Sequence, residues 1–169
     1  MKKITITLIY IVFGGVVFAQ RNTDTIPERP INGISLSLLG DASIISFHYE
    51  RLFLIRNNFF ITGKLGLGYI EEFQLCLFGS CSTPEKYLTI PHHITGNIGR
   101  GKNFFEFGLG GTIINGNTSQ HYLLYPIVGY RLQPKRSNKF NLRIFAEFPV
   151  SRVEDILFVP FGLSMGIYF

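Results

Sequence analysis

The chain has 169 residues, room for one domain of ordinary size rather than two. Its formal net charge is +5, but the 16 basic residues are scattered, which excludes the clustered footprint of a nucleic-acid binder. Only 16% of residues are charged, against 17 Phe, 8 Tyr and 18 Gly with no Trp, so the mean hydropathy of +0.24 must be met by a core or by lipid.

Residues 1–19 read as an export signal. Lys2 and Lys3 precede an almost unbroken apolar run from Ile4 to Phe18, and Val17 and Ala19 form a V-x-A cleavage pattern before Gln20. The run is shorter than the ~20 residues a spanning helix needs, which favours cleavage over an uncleaved anchor. Gln20 rather than Cys follows the cut, so no lipoprotein anchor is expected. Losing the two lysines leaves 14 basic and 11 acidic residues, a net charge of +3. Residues 20–32, with Pro27 and Pro30, read as an extended lead-in rather than a domain.

From residue 33 to 169 the hydrophobic period is two, and an all-β fold follows. Strands are predicted over 33–39, 43–54, 59–71, 86–98, 103–114, 120–132, 139–149 and 157–169. In 59–71, Ile61, Leu65, Leu67 and Tyr69 oppose Thr62, Lys64, Gly66 and Gly68. In 103–114, Phe105, Phe107, Leu109 and Ile113 oppose Phe104, Glu106, Gly108, Gly110 and Thr112. Phe140, Leu142, Ile144, Ala146 and Phe148 oppose Asn141, Arg143, Phe145 and Glu147. The final stretch places Leu157, Val159, Phe161, Leu163, Met165, Ile167 and Phe169 on one face. The gaps at 56–58, 99–102 and 133–138 are short and polar, while Phe73–Glu85 is long. Short turns at one end and a longer loop at the other suit an eight-stranded, antiparallel, up-and-down transmembrane barrel with both termini on the periplasmic side.

The polar parity collects Glu50, Lys64, Glu106, Arg131, Arg143 and Glu147, three acids and three bases, as a balanced charge network inside a closed lumen. A soluble lipocalin-like barrel shows the same alternation with its faces exchanged. Small Gly and Ser residues on the charged face, and an aromatic residue at the terminus, favour lipid on the apolar face. Without Trp, Tyr and Phe must supply the interfacial girdle.

The closing segment Leu157-Phe-Val-Pro-Phe-Gly-Leu-Ser-Met-Gly-Ile-Tyr-Phe169 resembles the last strand of outer-membrane barrels. Phe47-His-Tyr-Glu-Arg-Leu-Phe53 and Gly129-Tyr-Arg-Leu-Gln-Pro134 are similar to stretches of small uncharacterised Gram-negative outer-membrane proteins. The architecture resembles the OmpA/OmpX group. That resemblance implies an outer-membrane location, recognition of Phe169 by the barrel-assembly machinery, and contact with outer-membrane lipids including lipopolysaccharide. It supplies no catalytic residue. The expected state is a monomer without a cofactor.

Candidate chemistry is sparse. Ser46, His48 and Glu50 stand at i, i+2 and i+4 on one strand face and hold the parts of an acyl-transfer triad. Small barrels resembling this one include lipid A acyltransferases and deacylases, so a lipid-modifying enzyme is the alternative to a structural or interaction barrel. A narrow pore for small apolar solutes is a further one. Residues two apart on a strand lie ~6.5–7 Å apart at Cα, which suits a hydrogen-bonded lumen network better than a triad. His92 and His93 are adjacent and point to opposite faces, so no metal site is expected. Cys76 and Cys81 can close a small disulfide ring in the long loop of an exported chain. Pro91, Pro126 and Pro160 fall in predicted strands and mark possible lateral weak points, because proline cannot donate to the ladder.

Overall fold

The computed structural model describes residues 29–56, 58–71, 85–134, 139–151, 153 and 156–169. Within them lie eight strands: β1 (Asn32–Leu38), β2 (Ile45–Arg56), β3 (Phe59–Glu71), β4 (Lys86–Arg100), β5 (Asn103–Asn115), β6 (Tyr122–Leu132), β7 (Phe140–Glu147) and β8 (Phe161–Tyr168). They pair in sequence order, all antiparallel, and β1 closes on β8. Closure removes the open edges that would otherwise leave a row of unpaired backbone groups.

Both ends of the described chain lie at one end of the barrel, where Asn32 and Phe169 exchange backbone hydrogen bonds of 3.2 and 2.7 Å. We call this the terminal end and the opposite one the loop end. A tight turn at the terminal end follows from a polar break: Gly101, at φ +65°, makes the β4–β5 reversal, with open space where a Cβ would stand.

The two faces divide as the period-two pattern requires. Ile34, Phe47, Leu65, Ile94, Leu109, Val128, Ile144 and Met165 point outward from the eight strands and are exposed, Ile94 to 70%. Aromatic side chains stand at both ends of this belt: Phe105, Tyr130 and Phe140 toward the terminal end, Tyr122 and Phe161 toward the loop end. The hydroxyls of Tyr49 and Tyr130 donate to Asn32 and Asn103 at 2.8 and 2.9 Å.

The inward face is layered. Leu52, Phe60, Phe104 and Tyr168 form an apolar plug at the terminal end, with the Arg29 guanidinium 4.7 Å above the Phe104 ring. A second apolar cluster, including Ile70, Tyr87, Ile114, Leu123, Tyr125 and Ile156, fills the loop end. Charged and hydroxyl side chains occupy the space between. An eight-stranded barrel leaves only side-chain room inside, and these layers occupy it.

Several strand ends shift from the pattern by one to four residues, and two of these shifts bear on the lumen. β8 begins at Phe161, not at residue 157, because Ile156 and Phe158 leave the ladder to pack on the loop-end cluster. β2 begins at Ile45, because residues 39–42 form a left-handed turn with φ between +46° and +70°. Leu39, Asp41 and Ala42 are not glycines, and each carries a cost of roughly 1–2 kcal/mol in that region.

Candidate functional site

That turn folds into the barrel mouth and carries Asp41 to full burial. Thr112 Oγ1 and Ser43 Oγ donate to the Asp41 carbonyl at 2.8 and 3.2 Å, and its N–H donates to Glu147 Oε2 at 2.7 Å. The carboxylate faces His93 Nε2 at 2.9 Å, His48 Nε2 at 3.2 Å and Lys64 Nζ at 3.5 Å. This set of bonds holds the strained turn in place. Small residues on the facing strands make room for it. A Cβ on Gly66 would stand 2.1 Å from His48 Cδ2, one on Gly110 2.7 Å from His93 Cδ2, and one on Gly68 2.6 Å from Ser43 Oγ. Gly66, Gly68 and Gly110 are therefore seats for the histidine rings and the turn.

A second cluster lies nearer the terminal end. Glu50 accepts from Ser35 Oγ at 2.9 Å, from Arg131 Nη1 at 3.1 Å and from the Tyr168 hydroxyl. Glu106 pairs with Arg131 Nε at 3.4 Å and accepts from Arg143 Nε at 2.6 Å. The Arg143 guanidinium also stacks 3.9 Å from the Phe145 ring centroid. Two carboxylates and two guanidinium groups neutralise one another here. Buried charges are tolerable only when paired and hydrogen-bonded in this manner.

Glu50, Lys64, Glu106, Arg131, Arg143 and Glu147 are all buried in the lumen. The expected count of three acids and three bases needs one correction: Asp41 makes a fourth acid. It sits in a Leu-Gly-Asp-Ala turn between strands, where sequence periodicity assigns no face. The glycine and the tolerance of Asp for positive φ are the only local signals that such a turn can reverse inward.

Ser46, His48 and Glu50 share the inward face, but the structure gives them different partners. Ser46 Oγ donates to Asp41 Oδ2 at 3.4 Å, and His48 lies between Ser37 Oγ, 3.3 Å from Nδ1, and Asp41. Glu50 turns to Arg131 and Tyr168 instead. The spacing of two sets the three at successive heights, and each meets what stands across the lumen at its own level. His92 points outward, its Nε2 3.1 Å from the Tyr122 hydroxyl, while His93 points inward.

Pro91 lies in β4. The β3–β4 register has no partners between Leu65↔His92 and Gly68↔Thr89, the stretch that contains Pro91. Pro126 keeps its place opposite Leu109 in β6, and Pro160 precedes β8. Phe169 is exposed beside the β1–β8 seam. Cys76 and Cys81 lie outside the described residues. On the outer face, Tyr49, Phe53, Ile61, Ile94, Phe107 and Leu109 line an apolar groove of about 1210 Å³. Its floor includes Gly63, Gly96 and Gly111, which the Phe53, Phe107 and Tyr122 side chains partly cover.

No family model, curated protein or solved structure matches this chain. The site must therefore be read from its own geometry.

Proposed function

We propose that this chain is an outer-membrane β-barrel of the structural or interaction type, embedded in lipid and plugged from within. The observation that carries the reading is the split between faces. Every one of the eight strands presents large, exposed apolar side chains outward, whereas Asp41, Glu50, Lys64, Glu106, Arg131, Arg143 and Glu147 lie inside. A soluble barrel reverses this order, since exposing so continuous an apolar belt to water is strongly unfavourable. In this reading the termini face the periplasm and the loop end faces outward. The partners are outer-membrane lipids, including lipopolysaccharide, and the assembly machinery that engages the Phe169 end. The barrel is monomeric.

The buried, mutually bonded lumen does not favour the lipid-modifying reading, because Ser46, His48 and Glu50 have little or no contact with solvent or lipid. Nor does it favour a pore. Expression of the full chain in a Gram-negative host, followed by envelope fractionation and unheated gel electrophoresis, tests the proposal. The expected result is an outer-membrane band whose mobility changes on boiling, and planar bilayers without conductance steps. Recovery in the soluble periplasmic fraction would overturn the membrane assignment, and steady conductance would overturn the plugged lumen.

A further inference from the structure

The two charged clusters differ in their balance. Near the terminal end, Glu50 and Glu106 are matched by Arg131 and Arg143. Near the loop end, Asp41 is paired with Lys64, with His48 and His93 beside it, whereas Glu147 has no basic group within ion-pair distance among the described residues and the nearby Arg143 is already engaged by Glu106. Glu147 is fully buried, and while its Oε2 accepts from the Asp41 N–H, its Oε1 has no hydrogen-bond donor. An uncompensated carboxylate in such a place is costly, so the cluster is short of one positive charge.

The geometry offers a place for that charge. One ligating atom from each of Asp41, His93 and Glu147 lies within 4.8 Å of the other two, and all three side chains are buried. We infer that Asp41, His93 and Glu147 bind a divalent cation of the zinc class inside the barrel. The donor set is one imidazole nitrogen and two carboxylate oxygens. That combination suits zinc, whereas calcium and magnesium favour oxygen-only sets. His48 and Lys64 hold the second Asp41 oxygen from the other side and orient the carboxylate. The three ligands come from the inward turn, from β4 and from β7, so the ion would pin the plug turn to opposite walls of the barrel. Such a site fills during folding, because the finished lumen shuts it in.

Refolding the full chain into detergent with zinc chloride, then desalting through chelator and measuring metal by mass spectrometry, tests this. Stoichiometric zinc is expected in the wild type and in His92→Gln, whose side chain is on the outer face. Retention should fall at least tenfold in Glu147→Gln and His93→Gln, with the gel mobility of a folded barrel unchanged. Chelator present during refolding should lower the unfolding temperature of the wild type but not of Glu147→Gln. The inference is overturned if the folded wild type keeps no zinc, or if both lumen variants keep as much as the wild type. It is also overturned if Glu147→Gln refolds to higher stability while zinc leaves the wild type unaffected, the mark of two carboxyl groups sharing a proton. If His93→Gln does not refold, the nearly isosteric Glu147→Gln decides alone.

Discussion

Arg131 reaches Glu50 through Nη1 and Glu106 through Nε, so truncating it strips two buried carboxylates of a partner at once. Arg131→Met is expected to destabilise the barrel by about 3–5 kcal/mol, the usual range for a buried pair broken on one side. Urea unfolding of the refolded protein measures this. The double variant with Glu106→Gln should lose less than the sum, because the second change removes one of the stranded charges. The glycine seats can be tested in the same assay. Gly66→Ala places a Cβ 2.1 Å from His48 Cδ2 and 2.7 Å from the Phe47 carbonyl oxygen, and backbone cannot yield cheaply. A loss of about 1–3 kcal/mol is expected from this overpacking. In the sequence these glycines are legible as small residues on the polar parity. Their purpose is not, because the His48 ring that needs the space comes from the neighbouring strand.

At the scale of elements, seven connections follow the chain and β1 pairs with β8, as an up-and-down barrel requires. The β1–β2 turn is the element that departs from the sequence expectation. Its left-handed backbone is unfavourable alone, and the Asp41 bonds to Thr112, His48, Lys64, His93 and Glu147 offset the strain. Asp41→Ala removes the carboxylate at the centre of these contacts. Amide exchange over residues 39–44 is then expected to accelerate at least tenfold, while β4–β5 amides keep their protection. Hydrogen-exchange mass spectrometry distinguishes this from global loosening; equal acceleration in both regions would mean that the turn is not a separate element. β2 and β8 start later than the period of two predicts, at Ile45 and Phe161, for a common reason. In both places the chain next to the strand is drawn toward the lumen, by the buried Asp41 before β2 and by Ile156 and Phe158 before β8.

At the scale of the molecule, the decisive property is which solvent meets the outer face. Ile94 lies midway along β4 and is the most exposed of the outward side chains named above. In a bilayer, Ile94→Lys is expected to cost about 2–4 kcal/mol, the range for a lysine near the midplane, falling to ~0–1 kcal/mol at either edge of the belt. Reversible unfolding from phospholipid vesicles measures the difference. An Ile94→Lys barrel as stable as the wild type in vesicles would place that face in water.

The sequence by itself determined the strand count and which residues of each strand share a face, the six charged residues among them. All of these depend on the period of two, which is a local property of extended chain. Tertiary structure alone decided how those charges divide into clusters, which carboxylate His48 meets and where Asp41 resides. These depend on register and on height within the barrel, set by pairing between strands far apart in the chain. Glu50 and Arg131 are 81 residues apart, and Asp41 and Glu147 106 apart, yet each pair is in direct contact. No local pattern encodes such a meeting. Barrel closure brings them together, and the low dielectric of the plugged lumen makes the partnering obligatory.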